Sequence, residues 1–277
     1  MTIESLAKTL QQTPAELIQQ ADVHTRTVQT WLSSRSPEAA RWEGVGVNAS
    51  STGLSVPLLN LALSKGYPPK TPEALIETEI ERVKAFFAER NVPWYWWVGP
   101  NPQPPTLPQL LQKHNIWFDP PPLPAMLAPL PARPVDYNRR IRVWRASTPA
   151  DLAAASTIRR IAFRFPAEVG LHYFDAMADD WLANDTVRLY LAEVEAGTPA
   201  GILASVYGAG VLGFYILAVL PEWRRRDVGK ALMARLLADS AADGHPFVVL
   251  TASRAGYPLY QQFGFEHIFD YQIYGLP

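Results

Sequence analysis

The 277 residues include no cysteine. That absence excludes thiol nucleophiles, disulfide frameworks and Cys-based zinc sites, and it accords with a cytoplasmic protein. Charge is also scarce and balanced: 18% of residues are charged, 25 basic against 26 acidic, for a formal net charge of −1. Such a balance gives no general attraction to nucleic acid or to an anionic membrane, so any basic site must be local. The longest apolar run, residues 211–220, falls well short of the roughly 20 residues that span a bilayer. The opening MTIESLAK lacks the basic-then-apolar order of a signal peptide. His24, His114, His172, His245 and His267 show no paired ligand spacing, so no metal is expected. No Gly-x-Ser-x-Gly turn supports serine-hydrolase chemistry.

Proline is abundant and unevenly placed. Pro120, Pro121, Pro122, Pro124, Pro129, Pro131 and Pro134 crowd residues 118–142. Proline removes a backbone donor and blocks helix, so this segment is expected to be extended and semi-rigid. Met126, Leu127 and Leu130 could still pack it against a domain. The expected division is 1–134, including a Pro-rich connector from about 119, and 135–277. Hydrophobic residues at 48% can supply a core for two domains of ordinary size.

Before the connector, Thr13-Pro14-Ala15-Glu16 reads as a helix start, with Thr13 as cap and Pro14 in the first turn. Leu17, Ala21, Val28, Trp31 and Leu32 would form its apolar side. Residues 41–48 alternate as a strand. Residues 72–89 pattern as a helix burying Leu75, Ile76, Ile80, Val83, Phe86 and Phe87. An aromatic strand at 92–98 and a short helix at 107–114 follow. After the connector come a strand at 141–144, helices at 149–163 and 167–183, and strands at 187–194 and 200–207. A fully apolar strand at 211–219 precedes a helix with Val228, Leu232 and Leu236 on one face. A strand at 247–250, a helix at 257–263 and a last strand at 266–274 complete the order. The fold class is α/β, an α+β arrangement on a mixed sheet.

The most telling segment joins the apolar strand to the next helix. It reads Leu217-Ala218-Val219-Leu220-Pro221-Glu222-Trp223-Arg224-Arg225-Arg226-Asp227-Val228-Gly229-Lys230. A helix start offers unpaired N–H groups and the positive end of the helix dipole. Arginines at its entrance suit phosphate oxygens. The ligand expected here is a phosphorylated small molecule.

This order of elements resembles the GCN5-related N-acetyltransferase (GNAT) family, whose Arg/Gln-x-x-Gly-x-Gly/Ala turn holds the pyrophosphate of acetyl-coenzyme A. The matching residues are Arg224 to Gly229, with Asp227 at the first glycine position. The later family signature matches at Tyr260-x-x-x-Gly264-Phe265. The resemblance spans residues 141–277. Residues 1–140 are fainter: Trp96-Trp97-Val98-Gly99-Pro100 and 107–111 look like the degenerate first domain of two-domain members.

The resemblance implies an N-acetyltransferase that moves an acetyl group from acetyl-coenzyme A to a small-molecule or peptide amine, with no metal. Main-chain groups of Leu217, Ala218 and Val219 would bond the pantetheine arm. Arg224, Arg225, Arg226, Asp227, Val228, Gly229 and Lys230 would form the pyrophosphate turn. Tyr260 would protonate the departing thiolate, a role open to a phenol of pKa ~10. The acceptor region implied by the resemblance holds Phe165, His172 and Tyr173, with Tyr215 nearby on the central strand. Its aromatic content favours a small or partly apolar acceptor. Residues 211–219 carry no Asp, Glu or His, so no general base is assigned. Asp227 sets a carboxylate beside the expected pyrophosphate, and as an N-cap it would compete for the same amides.

Two other readings follow. A non-catalytic acyl-coenzyme A sensor would use the same turn without turnover. A helix-turn-helix at residues 17–34 would bind duplex DNA, but Asp22 stands at the usual turn glycine and the chain lacks the basic balance of a DNA binder. Nucleic acid and membrane are therefore not expected partners, and the oligomeric state is left open.

Overall fold

The computed structural model describes residues 2–167, 174, 177–195 and 197–276. The chain divides into two compact units. The first comprises Met1–Thr25 and Ala125–Ile268; the second comprises Arg26–Pro124 and Phe269–Pro277. The contiguous division at residue 134 expected from the prolines does not describe these interleaved units. Chain from each sequence half is built into the other half's unit.

Helix α1 (Ile3–Leu10) leads into α2 (Pro14–Ser33). The start of α2 is a reciprocal capping box: Glu16 N donates to Thr13 Oγ1 at 3.2 Å, and Thr13 N donates to Glu16 Oε2 at 2.7 Å. Two otherwise orphaned donors are thus satisfied, and Pro14 supplies a helical φ at the first position. The helix then runs unbroken for 20 residues. A turn at Asp22 is absent, so the helix-turn-helix reading does not hold. Leu17, Ala21, His24, Val28 and Leu32 are all buried, at the three- and four-residue spacing of one helical face.

In the second unit the strands are β1 (Ala40–Glu43), β2 (Val47–Ser51), β3 (Asn60–Ser64), β4 (Tyr95–Val98) and β5 (Trp117–Phe118), with helices α3 (Glu73–Ala88) and α4 (Leu107–Lys113). The stretch 41–48, expected as one strand, is the β1–β2 hairpin. Its turn is fixed by the buried Glu79 carboxylate, which accepts from Val45 N at 2.5 Å and Gly46 N at 3.1 Å. Strand order is β1-β2-β3-β4, followed by the end of β12 (Glu266–Gly275). Residues 272–275 of β12 run antiparallel to β4. Trp96, Ile80, Val83 and Phe87 lie at the core, with Phe87 stacked on Trp94 at 4.7 Å.

The first unit contains β6 (Leu123–Pro129), β7 (Arg142–Arg145), α5 (Pro149–Phe163), α6 (Ala178–Ala183), β8 (Val187–Glu195), β9 (Thr198–Gly208), β10 (Val211–Val219), α7 (Val228–Ala242), β11 (Phe247–Thr251) and α8 (Tyr257–Gln262). Its strand order is β6-β11-β10-β9-β8-β7. Part of the connector is therefore a sheet strand: β6 pairs antiparallel with β11, Met126 opposite Leu250 and Leu127 opposite Val249. The prolines at 124 and 129 leave Ala125 to Ala128 with their backbone donors, which is enough for a ladder. The start of α5 is a second capping box, Thr148 with Asp151. Val228, Leu232 and Leu236 of α7 are buried with Met126, Leu203, Phe214 and Leu250. Each such large side chain contributes about 1.5–3 kcal/mol by leaving water. Of the helix expected at 167–183, only its end, α6, lies within regular described structure.

Candidate functional site

The centre of the first unit is where β10 parts from β11. The two strands pair in parallel only at Leu212–Val248, Gly213–Val249 and Phe214–Leu250. Beyond Phe214, β10 continues to Val219 without β11 beside it. On its other edge the register with β9 slips between Tyr215 and Ala218, where three steps of β10 match two of β9. The slip is a β-bulge, and Ile216 within it takes φ 60°. A β-branched residue in the left-handed region is strained, so the surrounding structure must hold it there. A bulge bends and twists its strand, which aims the 215–219 backbone away from β11. The expected main-chain site at Leu217, Ala218 and Val219 lies on this splayed stretch.

The strand end leads into the arginine turn. A short 3-10 segment, Pro221–Trp223, is followed by Arg225 at φ 59° and Asp227 at φ 63°. Helix α7 begins at Val228, and its first backbone bond runs from Ala231 N to Asp227 O at 2.9 Å. The amides of Val228, Gly229 and Lys230 precede that bond and have no helical acceptor. They open at the positive end of a 15-residue helix, the ordinary setting for an anion. A Cβ at Gly229 would sit 3.2 Å from Leu259, so glycine permits close approach of α8 at this point.

Asp227 does not act as expected. Its backbone adopts the left-handed conformation that Asp tolerates better than most residues, but its side chain makes no capping bond. Instead Oδ2 accepts from Asn138 N at 3.2 Å, and Oδ1 pairs with Lys230 Nζ at 3.0 Å. The carboxylate is turned from the amides toward a donor and a cation, so it does not compete for them. Arg224 also departs from expectation. Its Nε donates to Val219 O at 3.1 Å and its Nη2 to Ala162 O at 3.3 Å. Arg224 therefore ties the end of β10 to the end of α5. Arg225 and Arg226 are exposed, with the Arg226 guanidinium 5.1 Å above the Trp223 ring.

Tyr260 is buried on α8, its ring 5.9 Å from Phe265 and against Gly256. Burial pushes its phenol above the usual tyrosine range, so it is protonated at any physiological pH. Phe165 is half-buried, 5.5 Å from Phe163. His172 and Tyr173 lie outside the described residues.

Tyr215 is packed beneath α2. It is 8% exposed; burial raises its phenol and a bond to Thr25 opposes that. Beside it lies His24, a residue the sequence reading treated only as one of five scattered histidines. Its place on the Leu17–Ala21–Val28 stripe was the available signal. The ring is fully buried, 5.9 Å from Tyr215, with Nδ1 2.8 Å from Gly208 O. That contact places the proton on Nδ1, since a carbonyl only accepts. Nε2 has no partner. Burial pushes the imidazole down to about 4, opposed by the Gly208 carbonyl. The unfolded chain thus takes up its proton near pH 6.5 and the folded chain only near 4. Stability contributed by the neutral ring is complete above pH 6.5 and is lost as pH falls toward 4, by about 3 kcal/mol in total. Urea unfolding at about pH 7 and about pH 4.5 should show this loss, and His24→Leu should lessen the pH slope.

Residues 185–267 match the family model described as the acetyltransferase (GNAT) domain. Most of the chain has the fold of several solved structures. A GCN5-related N-acetyltransferase from Kribbella flavida superposes with TM-score 0.68 at 16% identity, over 92% of this chain and 96% of that one. One from Sphaerobacter thermophilus gives 0.63 at 16% identity, over 84% and 80%. A tandem GNAT protein from the clavulanic acid biosynthesis pathway, solved without AcCoA, gives 0.58 at 17% identity, over 90% and 86%. Comparison with curated protein sequences gives no match. The class is therefore a mixed α/β acetyltransferase-like fold, and residues 185–267 within it are similar to the acetyltransferase (GNAT) domain. No described helix is long and apolar enough to cross a membrane. Among the described residues no cluster of His, Asp or Glu is placed to hold a metal.

Proposed function

We propose that the protein transfers the acetyl group of acetyl-coenzyme A to an amine, by direct attack, with Tyr260 as the acid. The observation that carries this reading is the splayed β10 strand running through the Ile216 bulge into the open amides of α7. A long ligand with a phosphate end and an amide-bearing arm matches that sequence of groups. The thioester supplies an activated acyl group with a thiolate leaving group. Backbone N–H groups of the 217–219 stretch bond the arm, and one of them faces the carbonyl oxygen as negative charge develops. Val228, Gly229 and Lys230 amides take the pyrophosphate, and Arg225 and Arg226 add charge at its edge. The Asn138 and Lys230 contacts of Asp227 lower its repulsion of that charge. The buried phenol of Tyr260 keeps its proton until the sulfur departs.

Residues 211–219 hold no titratable group that could take the amine proton before attack, Tyr215 apart. On this reading the acceptor arrives as the free base. For an ordinary amine of pKa ~10, log kcat/KM should rise with unit slope from neutral pH toward ~10. Because the Tyr260 phenol titrates above its ordinary value, no declining limb should appear before the amine is fully deprotonated. A plateau starting near neutrality would point instead to an enzymic base.

Coenzyme A titration tests the cradle. Arg225→Ala/Arg226→Ala should weaken binding about tenfold or more, and the loss should shrink at high salt. Unchanged affinity would place the pyrophosphate elsewhere. The missing carboxylate or imidazole on β10 favours one alternative, an acyl-coenzyme A sensor that binds through this turn without turnover.

A further inference from the structure

The second unit contains a pocket of about 360 Å³ between α2 and one face of its hairpin. That volume suits a small ligand. Helix α2 contributes Arg26, Thr27 and Trp31; the strands contribute Arg41 and Asn48; Lys65 follows β3. Register explains the convergence. Arg41 lies opposite Ser50 in the β1–β2 ladder, and Asn48 lies two residues from Ser50 on the same face. Ser33 Oγ at the end of α2 donates to Ser50 Oγ at 2.8 Å, which fixes that face under the helix. Asn48 is paired in turn with Leu63, which forms the floor.

Three cationic side chains line the pocket, and among the described residues no carboxylate does. The Glu43 side chain, on the same face of β1 and opposite Asn48, is exposed and lies outside the lining. Arg41 Nη2 donates to Thr30 O at 3.3 Å, so the guanidinium is oriented with further donors to offer. Asn48 Oδ1 is buried and has no hydrogen-bond partner among the described residues. A buried carbonyl left unmatched calls for an explanation, and a ligand hydroxyl or ammonium would supply the missing donor. Clustered cations of opposite charge to a small oxyanion would supply its attraction.

We propose that the second unit binds a small organic anion in this pocket, one carrying a phosphate or carboxylate next to a hydroxyl or amine. The cations take the oxyanion, Asn48 takes the neighbouring donor, and the Trp31 ring closes one wall. The pocket shares no residue with the 224–230 turn.

Calorimetric titration of the full chain with glycerol phosphate and with inorganic phosphate tests this. Saturable binding is expected for both, tighter for glycerol phosphate because it carries the hydroxyl. Arg41→Ala/Lys65→Ala should lose about tenfold or more in affinity, and Asn48→Leu should erase the advantage of glycerol phosphate. Arg225→Ala/Arg226→Ala should leave glycerol phosphate binding intact, which separates this site from the turn. Circular dichroism of each variant should match the parent. The proposal is overturned if well-folded Arg41→Ala/Lys65→Ala binds as the parent does, if binding is lost only in Arg225→Ala/Arg226→Ala, or if the pocket variants weaken duplex nucleic acid alone.

Discussion

Tyr260→Phe should lower kcat about a hundredfold or more while leaving acetyl-coenzyme A affinity near that of the parent. General-acid assistance is worth roughly 10²–10⁴-fold. The ring of Tyr260 packs on Phe265 and against Gly256, and phenylalanine keeps those contacts. The phenol's shift is caused by burial, and among the described residues it has no bond that the substitution would break. A stability loss should therefore be small, and a fall in kcat would report chemistry. An equal rise in KM without loss of kcat would instead assign Tyr260 to ground-state packing. Urea unfolding alongside the kinetics separates either outcome from simple misfolding.

Gly213→Ala should destabilise the first unit by about 3 kcal/mol. A Cβ at Gly213 would overlap His24 Nε2 and come within 2.9 Å of the Tyr215 ring. Both neighbours are buried rings and cannot swing into solvent. Interiors at crystal-like density transmit such an overlap into strain. His24→Ala removes the colliding atom, so the double variant should lose less than the two single losses combined. A coupling of about 1–3 kcal/mol is expected for side chains in direct contact. Additive losses in the unfolding midpoints would mean that Gly213 is needed for a reason other than His24.

Much of the first unit was legible because its elements follow local rules. The helix expected at 149–163 coincides with α5, and the apolar run 211–219 with β10. The position of the turn at Arg224 to Gly229 was legible because strand, basic run and patterned helix stand in order. The roles within it were not. Whether Asp227 caps the helix or faces Asn138 depends on a residue 89 positions away, and no local pattern records that partner. Arg224 likewise spends its donors on Val219 and Ala162 carbonyls that only the fold assembles. In the connector, proline content hid β6, since a ladder needs only the donors of the residues between the prolines. His24 was missed because a histidine on an apolar stripe is read as an exception until a carbonyl such as that of Gly208 is found to meet it. The interleaving of the units was illegible for the same reason: it depends on which distant strand β6 and the end of β12 pair with.

The measurement that bears most directly on the proposed activity is thiol release from acetyl-coenzyme A across a panel of primary amines, followed in parallel for the parent chain and Tyr260→Phe. Amine-dependent release by the parent, strongly reduced in Tyr260→Phe and weakened in affinity by Arg225→Ala/Arg226→Ala, is the predicted result. Tight acetyl-coenzyme A binding with no release above background for any amine would contradict transfer and assign the cradle to a sensor.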